Sequence, residues 1–204
     1  MKKFLLILLL PLVVFANDYK SHFFAGGIVA FSKVDAFISG DAYVPGVEGA
    51  WDYNQADYAG NGNVHIYGGW EFRPLSWFSL SPAIGAERNG WSWDHSGHKG
   101  CMSYFNPYIR LGVGFHIMNV FMEVAGTYGF PIYFWGELDG ESTTEDMSQE
   151  NAWSSMGMFS IGYTIKEHYR VGLTMGENYL ESKLDGRMTQ LHVEMMGLFL
   201  TYLF

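Results

Sequence analysis

The feature that most constrains the fold of this chain is an alternation with a period of two residues. Every second residue belongs to one row, and the charged residues lie in only one of the two rows. Between Asn63 and Arg73 one row reads Val, Ile, Gly, Trp and Phe, and the other reads His, Tyr, Gly, Glu and Arg. A period of two indicates β-strands. A soluble sheet would expose a charged row and bury an apolar one. Here the charges share their row with glycines, which indicates that the apolar row faces lipid.

Eight such stretches follow one another and are joined by alternately long and short connections. We predict strands at 20–32, 63–73, 77–88, 104–117, 120–134, 153–165, 169–181 and 189–204. This order predicts an all-β fold, a closed antiparallel up-and-down transmembrane barrel with short periplasmic turns and long extracellular loops. A ten-stranded barrel is the alternative, with 34–44 and 51–60 as an extra hairpin.

The start of the chain has the pattern of a secretory signal peptide. Lys2 and Lys3 precede an unbroken apolar run over 4–15, and Ala16 supplies a small residue for cleavage. The run is too short for a spanning helix, which needs roughly 20 apolar residues. We therefore expect a signal peptide over 1–16 and a barrel domain over 17–204.

Composition excludes some functions. The formal net charge of -9 argues against a nucleic-acid partner, because such surfaces neutralise phosphate with Lys and Arg. The single cysteine, Cys101, cannot form an internal disulfide. Nothing in the sequence calls for a cofactor, and we expect none.

The signal peptide, the eight alternating strands and the terminal Phe204 together resemble the small eight-stranded outer-membrane proteins, such as outer-membrane protein X and the barrel domain of outer-membrane protein A. The resemblance implies insertion in the outer membrane of Gram-negative bacteria, with outer-membrane lipid and the barrel-assembly machinery as partners. That machinery would read Tyr202 and Phe204 as an assembly signal. Family roles include adhesion, membrane anchoring and, in a minority, hydrolysis of lipids or peptides. Fold does not choose among them.

The inward row carries a predicted polar cluster in the lumen, formed by Glu71, Glu87, Arg110, Glu123, Arg170 and His116. An eight-stranded barrel has room only for packed side chains, so these charges must pair. We expect Arg170 to pair with Glu71 or Glu123, and Arg110 to reach Glu87 or the hydroxyl of Thr127. Such a cluster would plug the barrel. A narrow channel is the alternative.

Aromatic residues gather near the short turns and predict an interfacial girdle. Its members are Trp70, Phe72, Trp77, Phe115, Tyr163 and Tyr169. We expect these rings to contact the membrane interface rather than a soluble ligand.

The second long connection, 89–103, contains a weak candidate for a metal site, formed by Asp94, His95, His98 and Cys101. The spacing matches no strong metal signature. The same stretch offers the nearest catalytic material, His95 with Ser96 or with Asp94, but no orienting carboxylate. We therefore expect a structural or loop-mediated binding role, such as adhesion to an unknown extracellular ligand, and no enzyme. A lipid-modifying or proteolytic barrel enzyme is the alternative.

Overall fold

The computed structural model describes residues 21–39, 43–44, 47–48, 58–95, 98–138, 141–145, 152–184 and 187–204. The predicted signal peptide, 1–16, lies outside these residues. Within them no helix has the length and apolar character needed to cross a membrane. The described elements are β-strands, which run in chain order as β1 (His22–Ser39), β2 (Tyr43–Val44), β3 (Val47–Glu48), β4 (Tyr58–Leu75), β5 (Phe78–His95), β6 (His98–Ile117), β7 (Val120–Gly129), β8 (Tyr133–Leu138), β9 (Glu141–Glu145), β10 (Trp153–Ile165), β11 (Tyr169–Leu184) and β12 (Arg187–Leu203).

Eight of these strands close into an antiparallel barrel. Each pairs with its neighbour in the circular order β1, β4, β5, β6, β7, β10, β11, β12, and β12 pairs back onto β1. The prediction of an eight-stranded closed barrel is confirmed. The ten-stranded alternative is wrong, because β1 pairs directly with both β4 and β12 and leaves no place for another hairpin.

The strands continue further than the apolar alternation predicts. The segments 89–103 and 182–188, predicted as loops, are largely strand, since β5 and β6 pair out to His95 opposite His98, and β11 and β12 pair out to Leu184 opposite Arg187. The fifth strand is shorter than predicted and ends at Gly129. Pro131 follows, and a proline cannot donate a ladder hydrogen bond. The chain then forms the β8–β9 hairpin, which also pairs with β6.

The outer wall is apolar and the interior is polar. Outward side chains such as Ile84, Ile109 and Leu198 are more than half exposed, whereas inward charged side chains such as Glu71 and Arg170 are buried. A band of exposed aliphatic and aromatic groups on a closed barrel is typical of a surface in contact with lipid. The barrel is therefore a transmembrane barrel.

The band ends at a common level on the side away from the short turns. On β5 the outward row is apolar up to Ala86 and becomes charged at the exposed Arg88. On β11 and β12 it becomes charged at the exposed residues Glu177 and Glu194, which are direct cross-strand partners. These residues mark the outer bilayer interface, beyond which the hairpins project.

Candidate functional site

The lower part of the lumen, nearest the short turns, is closed by an ion pair between opposite walls. Arg170 on β11 binds Glu71 on β4 through two hydrogen bonds, Nη1 to Oε2 at 2.5 Å and Nη2 to Oε1 at 2.9 Å. Arg73 donates from Nε to the same Oε1 at 2.6 Å. The guanidinium of Arg170 also lies 4.3 Å from the ring centroid of Phe121. A bidentate, buried pair of this kind is among the stronger contacts in proteins.

A second buried ion pair joins Arg110 on β6 to Glu123 on β7. The prediction that Arg110 reaches Glu87 or Thr127 is wrong. The tight turn at Met118 and Asn119 does place Arg110 opposite Thr127 in register. However, a Cβ at Gly112 would collide with the Glu123 carboxylate and crowd the Arg110 guanidinium at 3.2 Å, so the glycine leaves the space in which they meet.

We name Glu71, Arg73, Arg110, His116, Glu123 and Arg170 the lower charged cluster. It contains three arginines and two glutamates. Five of the six predicted members lie in this cluster, and the sixth, Glu87, lies in the upper part of the lumen. All six are buried.

A serine and a histidine lie within hydrogen-bond distance in this cluster, but their arrangement does not suit a nucleophile. Ser79 Oγ lies 2.9 Å from His116 Nε2, and Arg73 Nη2 lies 3.0 Å from His116 Nδ1. Because a guanidinium can only donate, Nδ1 must accept, and the ring proton therefore sits on Nε2. That nitrogen donates to Ser79 and cannot remove its proton. A catalytic serine needs the opposite tautomer, held by a carboxylate.

The upper part of the lumen, near the outer interface, is built mainly from amides. Glu87 Oε1 accepts hydrogen bonds from Asn106 Nδ2 at 2.7 Å, from Asn178 Nδ2 at 2.9 Å and from the Tyr104 hydroxyl at 3.3 Å. Asn89 Nδ2 donates to that hydroxyl at 2.6 Å. Seven buried residues form what we call the upper polar layer: Asn63, His65, Glu87, Asn89, Tyr104, Asn106 and Asn178.

Little space remains between the charged pairs. The cavity beside Arg110, Glu123 and Arg170 has a volume of about 20 Å³. A water molecule needs about 10–15 Å³ of such space, so this cavity holds about one. Within the described residues, this level of the lumen has no room for a hydrated ion.

The predicted girdle residues lie near the short turns. Trp77, Phe115, Tyr163 and Tyr169 are exposed on the outer wall, while Trp70 and Phe72 are half-buried. Trp77 stacks on Phe115, and Tyr169 packs edge-on against Tyr202. Tyr202 and Phe204 face outward at the same end, and their role as an assembly signal stays a prediction.

The weak metal candidate stays a prediction, because most of its side chains lie outside the part of the chain that the structure describes. His95 and His98 pair at the tip of the β5–β6 hairpin, whereas Cys101 pairs with Ser92 further down. The side chains of Asp94, His95 and His98 lie outside the described residues, as does Ser96. Among the described side chains, no group of three or more His, Cys, Asp or Glu could hold a metal ion.

Sequence reasoning missed Arg73 and the asparagines as lumen residues. Arg73 is two residues from Glu71 and therefore lies in the same row of the alternation, which could have identified it as an inward residue. The asparagines carry no charge, so they do not stand out in a search for ion pairs, although Asn63, Asn89, Asn106 and Asn178 share their parity with inward neighbours.

Comparison with known proteins supports the fold. No family model matches the sequence, and no characterised protein matches it. Among solved structures, Neisserial surface protein A has 8% identity and a TM-score of 0.53, and the match covers 91% of this chain and 100% of that one. Ail, the attachment invasion locus protein of Yersinia pestis, has 15% identity and a TM-score of 0.44, with coverage of 91% and 100%. The outer membrane protease OmpT of Escherichia coli has 9% identity and a TM-score of 0.46, with coverage of 90% and 96%. At such identities a likeness concerns the fold alone.

Proposed function

We propose that this eight-stranded outer-membrane barrel is a non-conducting membrane support whose binding surface is carried by its outer rim. The observation that carries the proposal is the closed lumen. Two buried ion pairs, Arg170 with Glu71 and Arg110 with Glu123, occupy its cross-section and leave a cavity for about one water molecule. A function carried by the outer surface fits this interior better than transport does.

The length of the strands supports a role for the rim. A tilted transmembrane strand needs about 9–11 residues, but β5 has 18 and β6 has 20. The residues in excess of the membrane-spanning length lie beyond Arg88, where the outward apolar row of β5 ends. Paired strands that continue past the membrane are a stiffer platform than open loops, because their backbone hydrogen bonds are already made. Such a platform can present side chains to a partner without a large ordering cost.

The charge of the outer connections favours a basic partner. The stretch 135–152 contains six acidic residues and no basic one, and the whole chain carries a net charge of -9. Charge complementarity raises association rates and selects among partners. We therefore expect the rim to bind cationic protein surfaces and to reject polyanions.

Conductance tests the first half of the proposal. The full-length mature protein would be refolded into planar bilayers as wild type, as Arg110→Ala, and as Arg88→Ala, a control on the exposed outer face. We expect no discrete current steps from any of the three, because the upper polar layer still closes the lumen when Arg110 is removed. Steps in the wild type would overturn the plug and favour a channel.

Capture of charged probes tests the second half. Vesicles carrying the barrel would be exposed to lysozyme as a basic protein and to heparin as a polyanion. A variant with glutamine at Glu137, Glu141, Glu145 and Glu150 should capture less lysozyme. The control carries glutamine at Glu177 and Glu194, at the bilayer interface. Equal capture by both variants, or preferred capture of heparin, would contradict a binding role for this connection.

A further inference from the structure

The upper polar layer contains buried acceptor atoms that lack hydrogen-bond donors. The Oδ1 atoms of four asparagines and Oε2 of Glu87 have no hydrogen-bond partner among the described residues; the asparagines are Asn63, Asn89, Asn106 and Asn178. Each of these side chains is at most 1% exposed. A buried polar group without a partner costs about 1–3 kcal/mol. Five such oxygens in one layer therefore leave acceptor capacity that water or an additional electropositive group can fill.

The hydrogen bonds bring three of these amides to one place. Asn106 and Asn178 both donate to Glu87 Oε1, at 2.7 and 2.9 Å. Asn89 and Asn178 both donate to the Tyr104 hydroxyl, at 2.6 and 3.0 Å. The amide nitrogens of Asn106 and Asn178 point at the carboxylate and that of Asn89 points at the phenol, so two of the unpartnered carbonyl oxygens belong to amides that contact Glu87 directly.

An ionised Glu87 would have no compensating cation in this layer. Within the described residues, the one ion-pair contact of Glu87 is with His65, whose Nδ1 lies 3.4 Å from Oε2. Both ring nitrogens of His65 lack hydrogen-bond partners in that part of the chain. A protonated imidazole needs two hydrogen-bond acceptors, and within the described residues His65 Nε2 has none. His65 therefore does not supply the missing positive charge, and a buried carboxylate is costly unless it is paired.

We propose that the upper polar layer binds one hard monovalent cation, Na⁺ or K⁺, through the carboxylate of Glu87 and the carbonyl oxygens of its asparagines. Carboxylate and amide oxygens suit hard cations, whereas zinc and copper prefer sets of nitrogen and sulfur ligands, and His65 is the one imidazole in the layer. A monovalent ion balances the single carboxylate. A divalent ion would leave a buried positive charge, which is unfavourable.

The layer lies on the outer side of the lower charged cluster. Glu87 is the neighbour of Arg88, which marks the outer end of the apolar row on β5, so the layer lies at the outer interface. An ion that reached the layer from the external medium would not cross the lower charged cluster. The proposal is therefore compatible with a barrel that does not conduct.

Thermal unfolding in different salts tests the site. Full-length mature protein in detergent micelles would be heated in chlorides of Na⁺, K⁺, Ca²⁺ or the bulky N-methylglucamine cation at equal ionic strength. We expect Na⁺ or K⁺ to raise Tm saturably, by about 3 to 6 °C at ten times Kd. Glu87→Gln should lose this rise. Glu177→Gln, which removes the same charge from the outer wall, should keep it.

A direct observation keeps the test independent of how the variants fold. Wild-type crystals grown with Tl⁺ in place of K⁺ should show an anomalous peak beside Glu87. A site filled by water or by a proton on Glu87 gives no peak and no salt dependence, which would overturn the proposal. Equal salt responses in Glu87→Gln and Glu177→Gln would overturn it too. A response to Ca²⁺ alone would overturn the assignment to a monovalent ion.

Discussion

The two halves of the lumen achieve closure by different chemistry. In the lower charged cluster, arginines meet carboxylates directly. Arg170 binds Glu71 on a non-adjacent strand, and Arg110 pairs with Glu123 on the neighbouring strand. In the upper polar layer, the carboxylate of Glu87 is surrounded by neutral amides and a phenol. No arginine or lysine contacts it within the described residues.

The difference shows that burial alone does not determine how a charge is accommodated. Glu123 and Glu87 are both buried inward residues at most 5% exposed. Glu123 has a positively charged partner in the chain itself, Arg110, whereas Glu87 accepts hydrogen bonds from neutral groups. An arginine is present whatever the solution contains, whereas a carboxylate with neutral donors can still bind a cation from the solution. The same substitution should therefore have different consequences in the two halves.

The largest expected effect separates Glu123→Gln from Glu87→Gln. Glu123→Gln leaves Arg110 buried without its acidic partner, and breaking a buried pair costs about 3–5 kcal/mol. Glu87→Gln keeps an oxygen that accepts from Asn106 and Asn178, so in N-methylglucamine chloride we expect a cost below about 1 kcal/mol. Urea unfolding of both variants in lipid vesicles measures the difference. Equal losses would remove the distinction between the halves.

The next effect concerns Arg170 at the lower end. Arg170→Met leaves Glu71 buried with Arg73 as its remaining partner, and we expect a loss of about 3 kcal/mol in the free energy of unfolding. The double variant Arg170→Met with Glu71→Met should recover most of this loss, because replacing both charges removes the unpaired one. Arg88→Met on the outer wall is the control and should change stability by less than about 0.5 kcal/mol. A double variant as unstable as the single one would show that the arginine contributes mainly by packing.

The sequence predicts which side chains enter the lumen better than it predicts their partners. Parity within a strand follows from the period of two, so the inward positions of Glu71, Glu87 and Arg110 could be read directly. The contact partner of an inward side chain depends on how far that side chain extends along the barrel axis. The turn at 118–119 places Arg110 opposite Thr127, yet the glycine at 112 allows it to contact Glu123 diagonally.

Strand ends were predicted less well for a related physical reason. The apolar row records contact with lipid and stops at the bilayer surface, but backbone pairing does not need lipid. In the stretch 89–95 one row holds glycine, serine and aspartate, and the other holds two tryptophans between an asparagine and a histidine. The outward apolar row therefore does not continue there, although the stretch pairs with β6 throughout. The shift from the barrel strand β7 to the β8–β9 hairpin was also not predicted, although Pro131 marks it.

The smallest effect compares two hydroxyl groups, one in each half. Tyr67→Phe removes one hydrogen bond, to Thr201 Oγ1 at 2.9 Å, and keeps the ring that Arg110 contacts 5.0 Å from its centroid. Tyr104→Phe removes an acceptor shared by Asn89 and Asn178, which leaves two buried amide donors short of a partner. We expect a loss of about 1 kcal/mol for Tyr67→Phe and about 2 kcal/mol for Tyr104→Phe, measured by urea unfolding in the same vesicles. A larger loss for Tyr67→Phe would mean that the hydroxyl groups of the lower half contribute more than its ion pairs suggest, and that the upper amides find other partners.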